Sequence, residues 1–189
     1  LLDLAKSARQ ASEKVKSACE SYSTPVDYGI SPLDLNKISA LINADMNTRL
    51  YYTSFRHNAF DTHVQQPNLH QRLLTYFSDA VSGFFTDMDR IGRADDVVML
   101  VFSEFGRRVA ENTNLGTDHG TANNMYLIGN SVKGGHYGEL PSLTNLNDGN
   151  MLHTTDFRQV YATAISGWMG LEAHEQVLRH RFDEFPAFG

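Results

Sequence analysis

Cysteine, clustered positive charge and long apolar runs are all scarce in this sequence of 189 residues. The single cysteine, Cys19, excludes an internal disulfide framework and a zinc site built from cysteines. The longest uninterrupted apolar stretch, residues 97–102, has about a third of the length that a bilayer span requires. Residues near Leu1 lack the pattern of a secretory signal. The sequence therefore predicts no membrane span, and a first residue other than Met suggests a processed chain or a fragment.

The charge balance also narrows the class of partner. Sixteen Lys and Arg residues stand against 22 Asp and Glu residues, which gives a net charge of -6. No run of five or six like charges occurs, and binding to nucleic acid requires a clustered basic surface. Nucleic acid is therefore excluded as a partner. Hydrophobic residues at 41% and aromatic residues at 11% predict a folded chain with one core.

Four segments are predicted along the chain. Residues 1–22 have apolar side chains at spacings of three and four, from Leu4 to Tyr22, which predicts an amphipathic helix. This stripe either packs on its own domain or binds a partner. Residues 23–31 have the composition of a linker. The main region covers residues 32–171, and residues 172–189 are predicted to be a C-terminal tail.

Capping patterns predict where the helices of the main region begin and end. They place helix starts at Ser31 before Pro32, at Asn68 with Gln71, and at Asp156 with Gln159. Gly92 is predicted to end the second of these helices, and the third is predicted to extend toward Leu171.

Three apolar or aromatic segments predict strands at residues 50–55, 97–102 and 125–128. The second is apolar throughout, which is typical of a central parallel strand buried on both faces. A strand, a long helix and a buried strand in this order predict the α/β class, with a partly parallel sheet flanked by helices.

Candidate metal ligands follow the predicted strands, where parallel sheets collect their ligands. Asp61 and His63 follow the first strand, and Asp118 with His119 lies between two glycines farther along the chain. Carboxylate oxygen and imidazole nitrogen are ligands that borderline divalent metals accept. Each pair also fits a turn beside a surface histidine, so both interpretations stay open at this point.

Glu104 follows the predicted buried strand, where a carboxylate requires a cation or a metal ion. Arg107 and Arg108 lie close to it in the sequence and can neutralise it. The two arginines can instead clamp an anionic group such as phosphate or sulfate. A metal ligand and an anion site are therefore both compatible with this loop.

These residues belong to a longer ordered set of motifs. The set comprises NAFDTH (58–63), SEFGRR (103–108), Glu111-Asn112, GTDHG (116–120), VKGG (132–135), Gly138, PSL (141–143) and TTDFRQVYA (154–162). It resembles the family called domain of unknown function 1501, over about residues 35–171. That family is usually placed in the alkaline-phosphatase-like superfamily, with the sulfatases and the cofactor-independent phosphoglycerate mutases.

The resemblance implies an alkaline-phosphatase-like fold of which this chain is the C-terminal portion. It also implies a protein that is periplasmic or otherwise exported. Superfamily enzymes bind zinc, manganese or calcium through Asp, Glu and His side chains. The matching positions here are Asp61, His63, Glu104, Asp118 and His119, and we expect His153 as a further ligand. Nucleophile candidates are offered by proximity alone: Thr62, Ser103, Thr117 and Thr121.

The leading hypothesis is a metal-dependent hydrolase of phosphate or sulfate esters, acting on a small anionic ester. Arg107 or Arg108 would stabilise the charge that develops on the transferred group. The alternative is a non-catalytic subunit or accessory protein. Its protein partner would complete the sheet or contact the N-terminal helix.

Overall fold

The computed structural model describes residues 2–30, 33–55 and 58–189. Its helices are α1 (Leu2–Ser21), α2 (Leu35–Asn43), α3 (Gln66–Arg90), α4 (Phe157–Gly167) and α5 (Glu175–Leu178). Its strands are β1 (Met99–Val101), β2 (Gly106–Glu111), β3 (Thr117–Gly120), β4 (Tyr126–Ile128), β5 (Leu146–Asn147) and β6 (Asn150–Met151). The fold is therefore mixed α and β. In these ranges, no helix combines the length and the apolar character needed to cross a bilayer.

The chain divides into two compact units. The first comprises Leu1–Asp61 and Asn68–Ala94, and the second comprises Thr62–Pro67 and Asp95–Gly189. The first unit contains α1, α2 and most of α3, while the second contains the strands together with α4 and α5.

The core of the first unit is built on α3. Leu73, Ala80, Phe84 and Met88 recur at helical spacing and are all buried, as the apolar period of the segment predicts. Gly92 adopts φ +70° and ends the helix, as expected, with Arg93 N–H donating to the Met88 carbonyl at 2.8 Å.

The predicted start of α3 is wrong, because Asn68 and Gln71 both lie inside a helix that begins at Gln66. Pro67 occupies the first turn of this helix, where backbone N–H groups have no hydrogen-bond partner within the helix, so the missing N–H of proline costs no bond. The predicted start of α2 at Ser31 and Pro32 lies outside the described residues. In the structure, α2 follows Asp34.

Helix α1 forms as predicted and contacts α2. Its apolar stripe is buried only at Ala18, while Leu4 remains 72% exposed. Packing within the described chain therefore covers only the C-terminal end of the stripe.

The predicted strand at residues 50–55 is wrong, because this segment is irregular in the structure. Leu50 and Tyr52 are 75% and 76% exposed, and Thr53 donates its hydroxyl to the Leu33 carbonyl instead of joining a ladder. Aromatic and β-branched side chains form a strand only where a neighbouring strand accepts their backbone hydrogen bonds. No described strand pairs with this segment.

The predicted parallel sheet is also wrong. The described strands form three antiparallel ribbons, which pair β1 with β4, β2 with β3, and β5 with β6. The apolar run at 97–102 contains β1, which is half-buried and pairs Val101 with Tyr126 of β4. An apolar run in the sequence does not show whether the neighbouring strand runs parallel or antiparallel to it. The sequence therefore could not exclude an antiparallel ribbon. The strand predicted at 125–128 is confirmed as β4.

Helix α4 begins where predicted, with the Asp156 side chain accepting the backbone N–H of Arg158. It ends at Gly167, before the expected Leu171. The chain that follows packs back on α4: Phe185 N–H donates to Thr163 Oγ1 at 2.8 Å, and Phe182 N–H donates to Nε2 of the buried His174 at 3.0 Å. Two buried polar side chains therefore fix the C-terminal segment.

Candidate metal centre

Three predicted ligands converge at the start of the second unit. Asp61, directly before that unit, and His63 and His119 within it each present one ligand atom, and these atoms lie within 4.8 Å of one another. The closest pair joins His63 Nε2 to His119 Nε2 at 3.0 Å. Two nitrogens that share a tetrahedral zinc ion, each at 2.0–2.1 Å, are about 3.3 Å apart. The two imidazole nitrogens are thus spaced about as a shared ion requires.

The β2–β3 ribbon positions His119. In its register Arg107 lies opposite His119, so both side chains project from the same face. The Phe105 ring stacks on the His119 imidazole with centroids 3.7 Å apart and an interplanar angle of 18°. This stacking restricts rotation of the imidazole and keeps its Nε2 directed at His63.

Asp118 lies on the other side of the His63 ring. Its Oδ1 is 3.3 Å from His63 Nδ1, while His63 Nε2 contacts His119. The pKa of the Asp118 carboxyl is lowered, first by the hydrogen bond from Asn112, then by the contact with His63 and by the positive charge of Arg108. The carboxylate is therefore ionised at neutral pH.

Asn112 connects the ribbon to the segment that carries His63. Its Nδ2 donates to the His63 carbonyl at 3.1 Å and to Asp118 Oδ1 at 3.2 Å. Its Oδ1 accepts the backbone N–H groups of Asn114 and Gly116. One side chain thus orders both the turn after β2 and the backbone of His63.

The turn after β2 lies directly against His63. A Cβ atom on Gly116 would be 2.2 Å from the His63 carbonyl carbon, so this position requires glycine. Gln66 adds a second link, since its amide donates to Thr62 Oγ1 at 2.9 Å and accepts the Thr117 hydroxyl at 3.0 Å. These contacts set the distance between the His63 segment and β3.

The two predicted arginines lie on β2. Arg107 donates to the Thr117 carbonyl at 2.8 Å, and its guanidinium lies over the Phe105 ring, 5.2 Å from the centroid. Arg108 acts on Asp118 through its charge. Both side chains are half-buried, and they place positive charge near His119 and Asp118.

Two other predicted ligands are not brought into this cluster. Glu104 is exposed, and its Oε2 is 3.5 Å from the Ser103 hydroxyl. His153 is exposed too, and it lies near Asp156 rather than in the cluster. The ligand set formed by the described residues is therefore smaller than the expected one.

The nucleophile candidates take part in the scaffold of the centre or lie close to it. Thr62 is buried and accepts from Gln66, while Thr117 donates to the same side chain. Thr121 donates to the Met151 carbonyl at 3.0 Å. The hydroxyls of these three threonines are therefore engaged in hydrogen bonds with neighbouring protein groups.

Sequence reasoning did not identify Asn112 and Phe105 as parts of the site. Both occur within the quoted motifs, but an amide and a phenyl ring carry no metal-ligand signal. Asn112 precedes a short glycine-containing turn, and this local pattern could have indicated a structural role for its side chain.

Comparison with protein families finds a match over most of the chain. The model for the family DUF1501, described as a protein of unknown function, covers residues 38–182. The chain therefore belongs to the DUF1501 family, as its motifs indicated. Comparisons with curated proteins and with solved structures find no match.

Proposed function

We propose that this chain is a metal-dependent hydrolase of phosphate or sulfate esters whose metal ion is bound by Asp61, His63 and His119. The observation that carries the proposal is the convergence of these ligand atoms within 4.8 Å. Two histidines and one carboxylate form a typical ligand set of catalytic metal sites, which leave a coordination position open for water or substrate.

The donor set favours zinc or manganese over calcium. Calcium takes six to eight oxygen ligands, whereas two of the three donors here are imidazole nitrogens. The His63 side chain is 41% exposed and Asp118 is 60% exposed, so a ligand from solution can reach the centre.

The substrate class is inferred from the charge around the centre. Arg107 lies opposite His119, and Arg108 acts on Asp118. An arginine beside the reacting group stabilises the charge that develops on a phosphoryl or sulfuryl oxygen. When bound, a divalent ion polarises the ester oxygen and lowers the pKa of a water molecule. Asp61, His63 and His119 would hold the ion, and Arg107 would bind the anionic oxygen of the reacting group.

The proposal also includes membership of the alkaline-phosphatase-like superfamily and export to the periplasm. Both are supported by the resemblance of the sequence motifs to the family. The antiparallel ribbons give them no support of their own.

Elemental analysis and ester hydrolysis test the proposal together. The chain is stripped with a chelator, reloaded with zinc or manganese, and assayed with aryl phosphates and aryl sulfates, beside His63→Ala, His119→Ala and Arg107→Ala. We expect one ion per chain and metal-dependent turnover. Both histidine variants should lose more than about 100-fold in turnover, since even residues outside the ligand shell cost 10–100-fold. Arg107→Ala should keep the ion and lose roughly 100-fold in turnover.

The exposed His136 provides a matched control, and His136→Ala should retain both metal and activity. An ion that stays bound in both His63→Ala and His119→Ala contradicts the site. Metal binding without turnover on any ester contradicts the hydrolase and favours the accessory subunit. The accessory-subunit alternative is supported by the exposed apolar side chains of Leu2 and Leu4 on α1, which a partner protein could cover.

A further inference from the structure

We propose that Asp118 is a positioning residue for His63 and not a metal ligand. This inference rests on the proposed metal centre. It assigns to the Asp-His pair of β3 two different tasks: His119 binds the ion, and Asp118 holds the histidine opposite.

The geometry of the imidazole ring separates the two roles. The two ring nitrogens of a histidine point in divergent directions, so one ion cannot be bound at both. His63 Nε2 is 3.0 Å from His119 Nε2, whereas Asp118 Oδ1 is 3.3 Å from His63 Nδ1. The carboxylate oxygen that contacts His63 therefore lies on the far side of the ring from the shared ligand point.

The contact also fixes the position of the ring proton. Nδ1 of His63 lies 3.3 Å from a carboxylate oxygen of Asp118, and this contact is a hydrogen bond when Nδ1 carries the ring hydrogen. Nε2 of His63 is then the nitrogen with a lone pair, which is the form that binds a metal ion.

Asn112 holds Asp118 in this role. Its Oδ1 accepts two backbone N–H groups of the turn, from Asn114 and Gly116, which fixes which end of the amide is oxygen. Its Nδ2 is thereby directed at Asp118 Oδ1 and at the His63 carbonyl. The carboxylate and the backbone of the histidine that it orients are thus held by the same amide.

A ligand and a positioning residue respond differently to an amide substitution. The side-chain carbonyl that Asp118→Asn introduces can still accept from His63 Nδ1–H, whereas Asp118→Ala removes the acceptor. We expect Asp118→Ala to lower the affinity for zinc 10–100-fold, as is common for partners of metal-binding histidines. Asp118→Asn should restore most of that affinity. The absorption spectrum of the cobalt-loaded chain should be the same in the wild type and in Asp118→Asn.

The tautomer of His63 is measured directly by two-bond 1H–15N NMR on the metal-free chain. We expect the Nδ1–H form in the wild type and in Asp118→Asn, and a mixture in Asp118→Ala. The exposed carboxylate of Glu172 gives the control Glu172→Ala, which should match the wild type. A predominant Nε2–H form of His63 in the wild type overturns the proposal, as does a changed cobalt spectrum in Asp118→Asn.

These outcomes are separable from those of the proposed function. An Nδ1–H form of His63 with unchanged cobalt coordination, but without ester hydrolysis, supports the positioning role and contradicts the hydrolase. Hydrolysis with a cobalt spectrum that changes in Asp118→Asn contradicts only the positioning role.

Discussion

The buried carboxylate of Asp87 organises the first unit. It accepts the hydroxyls of Tyr22 and Tyr28 at 2.6 Å each, the hydroxyl of Thr24 at 2.7 Å and Arg90 Nε at 2.7 Å. Burial favours the neutral acid, but the hydrogen bonds from Tyr22, Tyr28, Thr24 and Arg90 outweigh it and lower the pKa of the carboxyl. The residues that follow α1 are thus attached to α3 through one side chain.

We expect Asp87→Ala to lower the free energy of unfolding by about 3 kcal/mol, because it leaves a buried network without its acceptor. Denaturant titration measures the loss. The lowered pKa of Asp87 stabilises the fold above its ordinary value of 3.8, and this contribution is lost as the pH falls through the folded-state value. Asp87→Asn should therefore show a weaker fall in stability below about pH 4.

Asp89 provides the control on the same helix, because it is exposed and lies two residues away. Asp89→Ala should change stability by less than about 0.5 kcal/mol. Equal losses in Asp87→Ala and Asp89→Ala would show that the hydrogen bonds of Asp87 do not stabilise the unit.

Among the secondary-structure elements, α4 has the clearest local determinant. Asp156 caps the helix through the Arg158 N–H at 2.9 Å and pairs with the Arg158 guanidinium, which lowers the pKa of the carboxyl to about 2. Asp156→Ala is expected to lower the free energy of unfolding by about 1 kcal/mol. Asp156→Asn should lose less, because asparagine caps helices as well as aspartate does. Thermal unfolding beside Glu172→Ala checks both, and equal losses in the two Asp156 variants would contradict the cap.

Local signals predicted α1, the start of α4, the end of α3 at Gly92 and the strand β4. Each depends on hydrogen bonds or apolar periods within a few residues, which the sequence displays directly. The strand at 50–55 and the parallel direction of the 97–102 segment were wrong, since both depend on a distant partner. The candidate ligands Asp61, His63 and His119 were predicted from their chemistry, while the contacts of Asn112 and Phe105 required the ribbon geometry.

At the scale of the whole molecule, metal binding and folding should be coupled. The histidines come from segments 56 residues apart, so the unfolded chain does not hold them together. Zinc at 100 times its Kd should therefore raise the free energy of unfolding by about 2.7 kcal/mol. Urea titration with and without zinc measures the gain. His119→Ala should abolish it and His136→Ala should keep it, whereas an equal gain in His119→Ala would place the stabilising ion elsewhere.

The sequence by itself determined the family, the composition limits, most helices and the ligand chemistry of the candidate site. These properties follow from residue identity and short-range periodicity. Only the tertiary structure shows that the ribbons are antiparallel, that Asp118 contacts Nδ1 of His63, and that Glu104 and His153 lie outside the cluster. Each of these features depends on which distant segments of the chain come into contact. The β2–β3 ribbon and Asn112 bring His119 close to the segment that carries His63.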